Sequence, residues 1–154
     1  MQRARVIMLL AAITGLCGVA PAATCTVSGT AAFGSYDPLV GNPVLSTGTV
    51  AVTCNGTAGE QVSYSVVLSP GHGSFADRTM VFGTHTMHYN LYKDAGCLQV
   101  WGDGTSSTFT LDDSITLSAA STTKYYTVYG RITSNQHRLR AGSYMDNVTL
   151  TINY

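Results

Sequence analysis

The sequence predicts an all-β domain folded as an antiparallel sandwich, and three observations carry that prediction. Short extended segments with apolar residues at every second position recur along the chain. Turn residues separate them at intervals of roughly 8–12 residues. No segment after residue 22 shows a capped apolar period of 3.6. Composition agrees: only 10% of the residues are charged, and the frequent Thr, Ser, Val and Tyr suit half-buried pleated surfaces rather than a disordered chain.

The elements follow in order. Residues 24–33 open the domain and lead into the turn-rich stretch GSYDPLVGNP. Residues 46–54 alternate, with Val50, Val52 and Cys54 on one face, until Asn55-Gly56 and Ala58-Gly59 break them. Residues 61–69 alternate most cleanly: Val62, Tyr64, Val66 and Leu68 face one way, and Ser63, Ser65 and Ser69 the other. Pro70-Gly71 ends that strand, and GHGSFAD at 71–77 reads as a loop. Short strands are expected at 78–82 and 87–92, then the Asp103-Gly104 turn. Residues 108–111 and 114–117 read as two short strands or one bent one. Residues 124–133 carry β-branched and aromatic residues on both faces, which predicts a central strand. After the loop SNQHRLRAG, residues 143–154 form the last strand, with Val148, Leu150, Ile152 and Tyr154 on one face. Seven or so such strands suggest an immunoglobulin-like sandwich, with a two-sheet barrel or jelly roll as the alternative.

The N-terminus reads as a secretory signal. Arg3 and Arg5 precede an apolar run from Val6 to Val19, and Ala20-Pro21-Ala22 supplies a small-residue cleavage pattern. The expected signal peptide is residues 1–22, and the mature domain residues 23–154. The run is short for a membrane span. Cys17 lies within it, but Thr14, Gly15 and Leu16 make no lipoprotein-type site. The mature chain keeps six basic and eight acidic residues, a net charge of −2. So weak a field provides no footprint for nucleic acid or acidic membranes.

Export places Cys25, Cys54 and Cys97 in an oxidising compartment. Cys25 and Cys54 both sit in strand-like contexts and are the expected disulfide. Closing that loop is worth roughly 3–4 kcal/mol in the chain-entropy treatment. Cys97, in a turn, is then the odd one out: a buried or semi-buried free thiol on the plainer reading, an intermolecular crosslink or reactive thiol on the other.

No constellation for catalysis or metal binding emerges, and no cofactor is expected. His85 and His88 are three apart in an extended segment and point to opposite faces, poor spacing for a shared metal. Asp112-Asp113 read as solvated loop acids. Gly71 and Gly73 lack the following helix of a phosphate loop. Tyr36, Phe75, Trp101, Tyr125 and Tyr126 are candidate loop aromatics for stacking on a carbohydrate or a surface, against core packing as the plainer reading. His137, Arg138 and Arg140 form at most a small basic rim.

Several stretches resemble the spore coat protein U domain family, which includes pilins of the archaic, Csu-type chaperone–usher pathway. They are CTV at 25–27, FGSYDPL at 33–39, TGTVAVTC at 47–54, DRTM at 77–80 and MHYNLYKDA at 87–95. WGDGT at 101–105, VYGRI at 128–132 and AGSYMDNVTLTINY at 141–154 complete the set. Each is weak alone; their order spans nearly the whole mature chain.

The resemblance implies an incomplete sandwich that lacks its last strand. A periplasmic chaperone lends a strand during secretion, an outer-membrane usher exports the subunit, and another subunit's N-terminal extension replaces the loan. Strand addition of this kind joins backbone hydrogen bonds to alternate apolar side chains seated in a groove. Val148, Leu150, Ile152 and Tyr154 are expected to face that groove or the core beside it. The implied role is a non-enzymatic subunit of a surface fibre or spore coat. A tip-like adhesin or self-sufficient carbohydrate- or surface-binding module is the alternative. In fibre-forming pilins of this kind a donor segment precedes the first cysteine. Here only Ala23 and Thr24 would do so, spanning at most about 7 Å, which favours a terminal or coat position over a repeating shaft.

Overall fold

The computed structural model describes residues 22–154. The expected signal peptide, apart from Ala22, lies outside the described residues. Eight strands form: β1 (Thr24–Ala31), β2 (Val44–Asn55), β3 (Gln61–Leu68), β4 (Arg78–Phe82), β5 (His85–Tyr92), β6 (Leu111–Thr116), β7 (Ser121–Ile132) and β8 (Leu150–Asn153). They build two antiparallel sheets, one of five strands in the order β1-β2-β7-β5-β4 and one of three in the order β6-β3-β8. This is the all-β, immunoglobulin-like sandwich that the alternation predicts.

Alternation decides which side chains go inside. On β2, Val50, Val52 and Cys54 are buried while their neighbours are more exposed. On β3, Val62, Tyr64, Val66 and Leu68 are buried and face them across the core. Burying Val52, Val66, Leu117 and Ile132 contributes roughly 1.5–3 kcal/mol each. Trp101 is 1% exposed, and its Nε1 donates to the Val66 carbonyl at 3.1 Å, so its one polar atom is satisfied inside. Cys25 and Cys54 oppose each other in the β1–β2 register, with Cα atoms 4.1 Å apart, and their sulfurs are bonded. Among the described residues Cys97 has no disulfide partner, and it is buried.

Two local readings change. Asp112 and Asp113 are not loop acids. They lie within one continuous strand, β6, because residues 111–116 find a full backbone partner in β3. Trp101, although in the connection between β5 and β6, is core, and Tyr126 stands on β7 within the strand expected at 124–133, as the plainer reading of these aromatics has it. The last strand is much shorter than residues 143–154. Met145 exchanges backbone hydrogen bonds with Val81 on the edge of the five-stranded sheet. Leu150 pairs with Leu68 in the other sheet. One straight strand cannot belong to both sheets, so residues 146–149 cross the gap and only Leu150–Asn153 remain as β8.

Candidate functional site

Five strands face three, so part of the larger sheet's inner face has no strand above it. The result is a groove of about 1060 Å³. Its floor is apolar and belongs to the buried core: Val50 from β2, Val128 and Ile132 from β7, Tyr89 and Leu91 from β5, and Met80 from β4, none more than 7% exposed. Two segments outside the named strands border it, residues 32–36 after β1 and residues 139–149 before β8. β8 pairs with β3 on one side alone, leaving its other edge unpaired beside the groove. β1 and β8 lie close together at Gly29, where a Cβ would stand 3.5 Å from Leu150 Cδ1.

The four residues singled out on the last strand separate. Val148 and Leu150 line the groove and pack on the core. Ile152 is half-buried against the core through its place opposite Val66. Tyr154 lies past the final registered pair, Ser65–Asn153, and is 59% exposed.

A polar latch holds the segment that crosses the groove. Tyr89 OH donates to Asp146 Oδ2 at 2.5 Å, and the backbone N–H groups of His72 and Asn147 donate to Oδ1 at 2.9 and 2.7 Å. Burial, then the hydrogen bond to Asp146, pushes the Tyr89 phenol well above its ordinary range, so it remains a donor. Gly71 (φ +63°) allows the loop to close on this carboxylate: a Cβ there would stand 2.3 Å from Asp146 Oδ2.

Behind the latch lies Arg78, fully buried. Its Nη1 donates to Asn90 Oδ1 at 2.6 Å, and its Nη2 donates to the carbonyls of Ser69 and Trp101 at 2.9 and 2.8 Å. The Phe75 ring lies 5.5 Å away, while Nε has no partner. Burial lowers the Arg78 pKa, yet a guanidinium keeps its charge in proteins. The planar fork ties β4, β5 and the start of two loops together.

The side of the sandwich where β6 meets β7 is closed by a second network. β5 pairs with β7 over Tyr129–Ile132 only. Beyond that stretch, Lys124 Nζ donates to Asp113 Oδ2 at 2.5 Å, Tyr126 OH donates to the same oxygen at 2.8 Å, and Tyr64 OH bonds Tyr126 OH. The hydrogen bond from Lys124, then those from Ser114 N–H and Tyr126, lower the Asp113 carboxyl to about 2. Burial, then the Tyr64 contact, raises the Tyr126 phenol.

The remaining candidates are scattered. His88 Nδ1 lies 2.8 Å from Asp77 Oδ1, and no group of three His, Cys, Asp or Glu among the described residues could hold a metal. Of the five candidate aromatics, Tyr125 is 70% exposed, Tyr36 and Phe75 are half-buried, and Trp101 and Tyr126 are committed as described. Sequence reasoning did not single out Phe33, Tyr89 or Asp146 for the groove. The Met87, Tyr89, Leu91 alternation was visible, but which sheet would lie uncovered depends on pairings distant in sequence.

Fold and groove together define a class: an antiparallel β-sandwich with five strands in one sheet and three in the other, and an apolar groove between them. A family model, the Spore Coat Protein U domain, matches residues 10–151, and the chain belongs to that family. No curated protein matches the chain. Among solved structures it is similar to a chain of the CsuC–CsuE chaperone–tip adhesion subunit pre-assembly complex, from the archaic chaperone–usher Csu pili of Acinetobacter baumannii. Identity is 21% with a TM-score of 0.50, over 86% of this chain but only 40% of that one. That likeness concerns the fold.

Proposed function

We propose that this chain is an exported, non-enzymatic subunit of a bacterial surface fibre or coat of the chaperone–usher kind, and that its groove accepts a β-strand from a partner. The observation that carries the reading is the apolar floor of Tyr89, Leu91, Val128 and Ile132 beside the unpaired edge of β8. A strand laid there would hydrogen-bond to β8 and place alternate side chains on that floor. Family membership and the likeness to a chain of a chaperone–subunit complex support the same reading.

In this account the chain passes through the inner membrane on the signal in residues 1–22. A periplasmic chaperone lends the strand, an outer-membrane usher exports the subunit, and a strand from another subunit replaces the loan at the surface. Val148 and Leu150 act as the groove wall that the strand meets. The chain's own residues perform no covalent step. An exposed groove left empty would invite aggregation, which is the physical reason for a chaperone.

The test is to append an alternating Thr-Val strand to residues 23–154 through a flexible linker and compare soluble periplasmic yield and Tm with the unextended chain. The reading predicts that the appended strand raises both, and that Leu150→Asp abolishes the gain. A bare chain of equal yield and Tm would count against it.

A further inference from the structure

Phe33 lines the groove from a segment that is not a strand. β2 and β7 carry small residues side by side on the inner face, Ser46 opposite Gly130. Gly130 serves space rather than backbone freedom, since a Cβ there would stand 2.5 and 2.7 Å from Phe33 Cε1 and Cζ. The Phe33 ring therefore occupies a dent in the sheet. It meets the Tyr89 ring edge-on, with centroids 5.3 Å apart and planes at 75°. Beside it, Ser46 Oγ is buried with no hydrogen-bond partner.

The segment that brings Phe33 in is weakly held. β1 pairing ends at Ala31. Among the described residues, no backbone–backbone hydrogen bond fixes residues 32–36, and Ala31, Ala32, Gly34 and Ser35 are exposed. Gly34 adopts φ +69° with open space around it, so it provides a pivot next to the ring. The nearest anchor is Tyr36, whose OH accepts from Gln136 N–H at 3.0 Å.

We infer that Phe33 is a removable plug, seated over Gly130 in the pocket that an apolar side chain of an incoming strand takes, and displaced when that strand arrives. This rests on the strand-accepting reading above. A plug of this kind covers part of the apolar floor before the partner comes and sets the rate of strand capture. The partner it fits is an extended peptide with an apolar residue in register with Gly130.

A core role and a plug role differ in one measurable way. A core ring is needed equally with and without the added strand; a plug is needed only without it. Phe33→Ala and the near-isosteric Phe33→Leu are made in the full mature chain and in the same chain carrying the appended Thr-Val strand. Phe33→Ala is expected to lower Tm of the unextended chain by about 5 °C or more, and of the extended chain by less than about 1 °C. It should also capture a synthetic nine-residue alternating Thr-Val peptide several-fold faster than wild type, with Phe33→Leu close to wild type. Equal Tm losses in both backgrounds, or capture no faster than wild type, would overturn the plug. If unextended Phe33→Ala does not fold, Phe33→Val provides the same comparison. A wild-type chain that neither gains from the appended strand nor binds the peptide refutes the strand-accepting reading itself, and the plug with it. Wild-type capture that Phe33→Ala leaves unchanged refutes the plug alone.

Discussion

Asp113 shows how a single carboxylate holds two sheets together. It accepts from Lys124 and Tyr126 of β7 while standing on β6. Its pKa falls from 3.8 to about 2 in the folded chain. A depressed carboxyl contributes its stability above the unfolded value, near pH 4, and loses it as pH drops towards 2. Asp113→Asn is therefore expected to cost a few degrees of Tm at pH 7, a modest loss because the pair is partly solvated. The gap between wild type and variant should close between pH 4 and pH 2, which a Tm series across that range checks. Arg78 makes the larger contribution. Arg78→Ala leaves the carbonyls of Ser69 and Trp101 and the Asn90 side chain without their buried donor. The expected cost is about 3 kcal/mol or more, read by urea denaturation. Arg78→Lys should recover only part of it, because an ammonium lacks the planar fork.

β8 is the element on which the proposed function turns. The alternation in residues 143–154 located it, and the inward positions Val148, Leu150 and Ile152 do pack on the core. Its length was not legible, because the crossing from one sheet to the other is fixed by Asp146 contacting Tyr89 and His72, residues more than fifty positions away. Leu150→Asp is expected to block capture of an alternating Thr-Val peptide, whereas Tyr154→Asp, at an exposed position past β8, should leave capture unchanged; a peptide-binding titration separates the two. Asp146→Ala removes the latch. It should loosen residues 139–149, which limited proteolysis would read as faster cleavage in that segment.

At the scale of the whole molecule, most strand positions could be read from period-two patterns because each strand buries one face. Val62, Tyr64, Val66 and Leu68 are the clearest case, all buried as the alternation requires. The Cys25–Cys54 pair could be reached the same way, and in the fold it sits directly across β1 and β2. Replacing both cysteines by Ser is expected to cost about 3 kcal/mol by chain entropy, measurable as a lower urea midpoint under oxidising conditions. What the residues could not declare is that the strands divide five to three. That division is a sum of long-range pairings, and the groove is its consequence. Asp112 and Asp113 illustrate the limit: adjacent acids look like a loop until β3 supplies the partner that makes them a strand.

The most direct test of the open-groove account is amide hydrogen exchange of β8 in the mature chain, with and without an appended Thr-Val strand. The account predicts that, without the strand, the Leu150–Asn153 amides facing away from β3 exchange quickly, and that adding the strand slows them at least tenfold. Protection already complete in the bare chain, or unchanged on adding the strand, would contradict it.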